Sequence, residues 1–446
     1  MDALFVVLAA IAFFAFLLLT RGMTFYADEW SFIYERSLDS LDQILRPHNE
    51  HWSTIPIILY RVTFSLIGLR SYLPYIAQVL VLHLIVAAGV YWIVRRTNGP
   101  RLALIVGAMV LFLGAGFENL YWAFQTGFVA STAAGVWVIA LLEQGPHRRR
   151  LPLIAGLLTA GLMCSSLGVV FLILAGTYVL ISPGRQKALT AVFVPASIFL
   201  AWYIAYGRLA IATHRNPFAA EAIRDVPGAV AEGLAATAAS LTGVGPSLGI
   251  GLVWLAALAA LWQLAHGWRP PPRLVATGVG VVALYAFVGL GRSHLFEGIE
   301  SLPRYSYVSC ILALLGLSAW LGRLDPAILA RWRVSIRAGT SAWLTLVVLW
   351  NGRLLVEGRE LFLQRAEVTR AEIEVGLNTN SSCVAEKRAF VALYGSPLQD
   401  ALAGDAMRPI SPATRARVAR ELASRSGPCD GRLITELQHP RWNGTR

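Results

Sequence analysis

Two short stretches near the amino terminus carry groups that could do chemistry. YADEWSF (26–32) sets Asp28 beside Glu29, and HNEHW (48–52) adds His48, Glu50 and His51. A carboxylate with an imidazole neighbour is a candidate general base, and two histidines with two acids can instead hold a divalent metal. Asp28, His48, Glu50 and His51 are therefore a candidate metal set, although their spacing matches no recognised metal motif. A simpler role also stands for the acids. Asp28 and Glu29 open the short segment WSFIYERSL, where negative charge is favourable against a helix dipole.

Two later stretches have the same mixed character. GAGFENLYWAFQTGF (114–128) sets Glu118, Asn119, Tyr121, Trp122 and Gln125 among apolar residues. Aromatic rings stack on sugar rings and amides bond sugar hydroxyls, so Glu118, Asn119, Trp122 and Gln125 are candidate substrate contacts. The alternative is an aromatic belt at a membrane interface. GRSHLFEGIESLPRYSYVSC (291–310) brings Arg292, His294, Arg304 and Tyr305. An arginine there suits a bidentate clamp on phosphate, or snorkels to a lipid headgroup.

The elements that position these groups must lie in a membrane. The chain has 446 residues, 56% hydrophobic and only 14% charged, and its mean hydropathy is +0.58. A soluble domain carries roughly 25% charged residues. We expect an all-α polytopic membrane protein of about eleven transmembrane helices. The spans fall near 2–20, 72–94, 102–117, 127–142, two short helices within 151–181, 188–206, 246–265, 274–291, 306–322 and 338–352. The two short helices should meet at the break from Cys164 to Gly168. The first span lacks a basic leader and a small-residue cleavage site, so it reads as a span and not a cleaved signal. Residues 54–70 are amphipathic and predict a helix lying in the interface.

The formal charge of +12 is carried almost wholly by arginine, since Lys187 and Lys387 are the only lysines. It does not point to nucleic acid. Arg95, Arg96, Arg101, Arg148, Arg149, Arg150, Arg185, Arg269, Arg273, Arg323, Arg331, Arg333 and Arg337 all fall in loops on one side, which the positive-inside rule makes cytoplasmic. The amino terminus is then cytoplasmic. YADEWSF, HNEHW, the loops 116–126, 207–245 and 292–305, and the tail from 353 onward face outward. Arginine-rich composition with abundant alanine and glycine looks like that of a GC-rich bacterial genome, so the membrane is expected to be a bacterial plasma membrane.

Four cysteines divide by setting. Cys164 and Cys310 lie in apolar spans as packing residues. Cys383 and Cys429 lie in the polar tail, where an oxidising exterior would let them pair as a disulfide. Residues 1–352 read as the transmembrane domain, with 21–71 its first outer loop. Residues 353–446 read as a small extracytoplasmic tail of short helices. One of these is SPATRARVARELASR (411–425), with a serine N-cap and Pro412 at the first position.

A first span, an acidic pair in the first outer loop and interfacial helices before the second span resemble the GT-C superfamily of glycosyltransferases. YADEW and HNEHWSTIP carry the resemblance, together with the PRY at 303–305. The order DEW, PHNEHW and ENLYWAFQTGF is similar to that of a group of actinobacterial integral membrane proteins. The resemblance covers residues 1–180 and the 292–310 loop. It implies a polyprenyl-phosphate-linked sugar as donor and a cell-envelope glycan, lipid or protein as acceptor. Asp28 would be the general base in an inverting transfer, with Glu29 holding it or replacing it. Arg292, Arg304, His48 or His51 would supply positive charge to the departing lipid phosphate, directly or through a divalent metal. Many relatives have further acids in a later outer loop. The comparable residues here are Glu118, Glu297 and Glu300, and the sequence does not choose among them.

Other classes remain open. A transporter or flippase would place titratable groups inside its spans, and this chain has few beyond Gln78, His83 and the 164–168 break. An O-acyltransferase would need a buried histidine, for which His83 is the candidate. A non-enzymatic membrane scaffold presenting its tail is the remaining alternative.

Overall fold

Apolar runs of this length satisfy their backbone polar groups by coiling into helices, and in the computed structural model the long elements among the described residues are all helices. It describes residues 1–34, 36–145, 147–213, 216–294, 298, 301–323, 333–378 and 410–424. The helices are α1 (Asp2–Leu19), α2 (Glu29–Tyr34), α3 (Leu41–Leu45), α4 (Thr54–Ile67), α5 (Leu73–Asn98), α6 (Pro100–Leu111), α7 (Glu118–Tyr121), α8 (Thr126–Glu143) and α9 (Leu151–Cys164). They continue as α10 (Leu167–Ile181), α11 (Leu189–Ala205), α12 (Ala220–Thr242), α13 (Pro246–Ala265), α14 (Pro272–Gly291), α15 (Pro303–Leu321), α16 (Arg333–Asn378) and α17 (Pro412–Ser424). Each of the eleven expected spans falls on one of these helices. Among the described residues, seven helices are long and apolar enough to cross a membrane, and shorter apolar helices stand beside them. The chain is a multi-pass membrane protein.

Proline and glycine set the corners. Gly99, at φ 87°, closes α5 in the left-handed region that favours glycine, and Pro100 opens α6 directly after it. The 151–181 segment splits as its length demands. The α9 and α10 helices are each about 21–23 Å long at 1.5 Å per residue, short of a full hydrocarbon crossing. Between them Ser165 is extended, at φ −168° and ψ 156°. A Cβ on Gly168 would lie 2.5 Å from the Leu162 backbone nitrogen, so only glycine lets α10 turn this close to α9.

Three elements differ from the sequence expectation. The third span ends early, at Leu111, and gives way to a tight turn at Gly114–Gly116. There the backbone abuts Asn351 and Tyr307, closer than any side chain at Gly114 or Gly116 would permit. The expected loop 207–245 contains α12, a 23-residue helix. It is rich in alanine and glycine, and it packs through small residues. Gly233 meets Tyr285, Gly249 meets the Ala235 backbone, and Gly289 meets Ala229 and Val226. The last span lies in the first half of α16, which runs 46 residues without a break at 352. Its C-terminal half lies over the first loops. Arg359 Nε donates to Leu19 O at 2.9 Å, and Phe362 meets Phe117, Tyr121 and Trp122.

The α17 helix docks on α16. Ser411 caps it as expected, its Oγ accepting the Thr414 N–H at 3.1 Å, and the Ser411 N–H reaches Glu367 at 2.9 Å. Cys383 and Cys429, and so the expected disulfide, lie outside the described residues.

The arginine-rich loops gather at the end of the bundle opposite YADEW. Arg273 donates to Glu143 at 2.7 Å, to Thr97 at 3.3 Å, to Ser318 at 3.2 Å and to Leu315 O at 3.0 Å. Arg95 pairs with Asp2 at 2.6 Å, and Arg185 donates to Leu142 O.

Candidate functional site

At the other end the adjacent acids part company. Glu29 is the first residue of α2 and is completely buried. Tyr60 of α4 donates to its Oε1 at 2.6 Å, and Tyr72, just before α5, donates to the same oxygen at 3.1 Å. The Tyr26 N–H donates to Oε2 at 2.7 Å. Burial pushes the Glu29 carboxyl up to about 8, and these hydrogen bonds offset it only in part. Glu29 is therefore a protonated anchor tying the YADEW turn to α4 and α5.

Asp28 keeps an 18% exposed side chain, with His48 Nε2 3.6 Å from its Oδ1. Burial pushes this carboxyl up, but His48, then Arg304 and Arg292, outweigh that and hold it below the ordinary carboxylate value. Asp28 is ionised and partly open, whereas Glu29 is neutral and closed. The residue before Asp28 stores strain: Ala27 has φ 51°, a conformation that costs a non-glycine residue roughly 1–2 kcal/mol.

HNEHW is a tight hairpin. The His48 N–H donates to His51 O at 3.0 Å, and the His51 N–H donates to His48 O at 2.9 Å. Asn49 takes the left-handed turn position at φ 50°, which asparagine tolerates better than most residues. A directly hydrogen-bonded pair puts both side chains on one face, so the two histidines sit side by side. His48 goes to Asp28, packed against Phe32 and Phe124. His51 Nε2 lies 3.5 Å from Glu50, and its Nδ1 accepts the Ser166 N–H at 3.4 Å. Burial drives His51 down to about 4, so it is neutral. The hairpin is held from below by the α9–α10 break, where Ser166 Oγ donates to Glu50 O at 2.7 Å.

Two arginines flank this hairpin, and each is engaged by an acid. Arg292 donates through Nε to Glu50 Oε1 at 2.7 Å and through a second nitrogen to the same oxygen. Its third nitrogen reaches Tyr305 Oη at 3.3 Å. Burial pushes Glu50 up, but Arg292, with His51, holds it well below the usual carboxylate range. Arg304 forks onto Glu118, at 3.0 Å to Oε2 and 2.7 Å to Oε1, and lies over the Trp122 ring at 5.5 Å.

Of the residues singled out by type, Asp28, Glu29, His48, Glu50, His51, Glu118, Trp122, Arg292, Arg304 and Tyr305 are thus joined by direct contacts at one end of the bundle. Asn119 and Gln125 are buried in its wall. Among the described residues neither polar atom of the Asn119 amide finds a hydrogen-bond partner, nor does Gln125 Oε1 or Tyr121 Oη. His294 is exposed in the turn after α14. Two expectations change. The Trp122 ring is covered by Arg304, Tyr26, Phe124 and Phe362 and is only 3% exposed, so it is not an open sugar platform. Asp28, His48, Glu50 and His51 form two separate pairs, with Glu50 committed to Arg292. Among the described residues no three histidine, cysteine or acidic side chains are grouped to hold a metal ion. Glu297 and Glu300 lie outside the described residues, which leaves Glu118 as the later acid seen at the site.

Type and spacing did not single out Tyr60, Tyr72, Ser166, Tyr26 or Arg365. The break at 164–168 was a visible signal for Ser166. Arg365 sits on α16, 5.0 Å over the Tyr26 ring and 4.9 Å over the Phe362 ring.

No protein-family model and no curated protein matches the sequence. Among solved structures, the chain is similar to ArnT from Cupriavidus metallidurans in the apo state, with a TM-score of 0.49 and 14% identity over 98% of this chain and 90% of that one. It is also similar to the same protein bound to undecaprenyl phosphate, with a TM-score of 0.44 and 15% identity over 98% of this chain and 77% of that one.

Proposed function

We propose that the protein is a GT-C-type membrane glycosyltransferase that moves a sugar from a polyprenyl-phosphate donor to a hydroxyl of a cell-envelope glycan, lipid or protein. The observation that carries this reading is the pairing of unlike acids. Asp28 is ionised, partly open and beside His48, while its neighbour Glu29 is a buried, protonated anchor. Two carboxyls pushed apart in this way mark one for chemistry and one for position.

In the proposed reaction the acceptor oxygen attacks the anomeric carbon as its proton passes to Asp28. The bond from that carbon to the phosphate oxygen breaks, and its electron pair leaves with the lipid phosphate. One displacement inverts the configuration. Arg292 and Arg304, each paired with an acid, stand in the wall beside the departing phosphate, and His48 orients Asp28. The arginine-rich end of the bundle faces the cytoplasm under the positive-inside rule, so the site opens on the outer face of the bacterial plasma membrane. Residues 1–352 are the catalytic domain in this reading, and 353–446 an extracytoplasmic tail.

The test is turnover in nanodiscs with a panel of polyprenyl-phosphate sugars and acceptors, following release of free lipid phosphate. Wild type should release it, and Asp28→Asn should lose about 10²–10⁴-fold. Equal rates from the two would remove Asp28 from the reaction. Release by neither, across all acceptors, would favour a transporter or scaffold.

A further inference from the structure

We propose that Arg365, held between Tyr26 and Phe362 on the outer half of α16, is the residue that takes the phosphate of the lipid-linked donor. This rests on the glycosyltransferase reading above and assigns its phosphate subsite to a helix that the sequence places in the tail.

The argument is one of charge and commitment. Three arginines come near Asp28 and Tyr26. Arg292 gives two nitrogens to Glu50 and one to Tyr305, and Arg304 gives its fork to Glu118. To clamp a phosphate Arg304 would have to abandon the buried Glu118, which is costly, and Arg292 would have to give up the two nitrogens it spends on Glu50. Among the described residues, Arg365 has neither a carboxylate partner nor a hydrogen bond. Its contacts are the two rings, at 5.0 and 4.9 Å. Stacking holds a guanidinium by its faces and leaves its edge N–H groups for a planar or tetrahedral oxyanion. The Tyr26 hydroxyl likewise has no hydrogen-bond partner among the described residues. Tyr26 is two residues from Asp28, and it feels the charges of Arg365, Glu118, Asp28 and Arg304 together.

The charges near the site also balance in a telling way. Glu50 offsets Arg292 and Glu118 offsets Arg304, while Glu29 is protonated. Of the charged groups that act on Tyr26 and Asp28, what remains is the anion Asp28 and the cation Arg365, with Tyr26 adjacent to both. A donor whose phosphate lies on Arg365 would present its anomeric carbon toward the Asp28 side.

The experiment measures binding of a short polyprenyl phosphate and the matching polyprenol to the full chain in nanodiscs, for wild type, Arg365→Gln and Arg365→Lys. Wild type should prefer the phosphate. Arg365→Gln should lose roughly ten- to a hundred-fold in phosphate affinity, as for a charged hydrogen-bonded pair. Arg365→Lys should fall between, and polyprenol should bind all three alike. A wild-type preference that survives in Arg365→Gln overturns the assignment of Arg365 and leaves the glycosyltransferase reading intact. No preference in wild type overturns both. Inorganic phosphate that displaces the ligand at the same concentration as the lipid phosphate would assign Arg365 to a soluble phosphate and overturn the lipid-donor assignment.

Discussion

Each end of the bundle has a buried arginine–carboxylate pair, and the two pairs sit in opposite surroundings. At the basic end Arg273 is 3% exposed, and Glu143, Thr97, Ser318 and a backbone carbonyl take up its nitrogens. At the other end Arg304 meets Glu118 with comparable geometry. Around that pair, among the described residues, lie an amide with no partner, a guanidinium held only by rings, and two non-glycine residues in left-handed conformations. Native interiors satisfy nearly all buried polar groups, so a region that leaves several unsatisfied is one built to meet something else. The basic end is a clamp among helices, and the Asp28 end is the candidate site.

The largest expected effects should separate the two ends by kind. Asp28→Asn should abolish most turnover and leave thermal unfolding near wild type. Arg273→Met should do the reverse. Removing one partner of a buried pair costs on the order of 3–5 kcal/mol, so the unfolding midpoint in nanodiscs should drop sharply. The fraction that stays folded should turn over normally. If Arg273→Met instead kept its stability and lost activity, the clamp and the site would not be distinct devices. Arg365→Gln comes next in size, and its loss should appear in phosphate binding before it appears in stability.

Glu29 sharpens the contrast within the site itself. Its folded value of about 8 lies above the ordinary 4.5. Between those two values the folded chain holds a proton that the unfolded chain has released. This contribution is therefore fully present below pH 4.5, is lost as pH rises toward 8, and is flat beyond it. Glu29→Gln cannot ionise, so it should remove this slope while turnover at neutral pH stays within a few-fold of wild type. Unfolding measured across that window for both proteins is the check. A parallel pH dependence in the two would mean that Glu29 is ionised in the fold and is not a neutral anchor.

Apolar length made the eleven spans legible, because a membrane leaves a long greasy run few alternatives. The α12 helix was hidden because its packing surface is alanine and glycine, whose small side chains fit tightly and give little hydropathy. At the site, residue type alone pointed to Asp28, His48, Glu50 and His51. It could not say that they divide into two pairs, because Arg292 is 242 positions from the Glu50 it captures. Nor could it show that Trp122 is covered, since the covering groups come from α15, α16 and the first loop. Arg365 looked like one charge among many on a polar tail. Only the unbroken course of α16 past residue 352 carries it back over Tyr26.

The smallest effect tests whether the turn before Asp28 is strained for a purpose. Ala27 sits at φ 51° with a Cβ that opposes the conformation. Glycine takes that backbone without penalty but adds freedom to the unfolded chain, so Ala27→Gly should raise stability by at most about 1 kcal/mol. Its effect on turnover should run the other way. A looser turn lets Asp28 leave the geometry that Glu29 and His48 impose, and misplacement of a reacting group lowers rate without any change in its chemistry. Modestly higher stability with a few-fold lower turnover would show that the left-handed alanine holds Asp28 at a cost to the fold. Higher stability with unchanged turnover would leave the Glu29 hydrogen bonds as sufficient on their own to place the base.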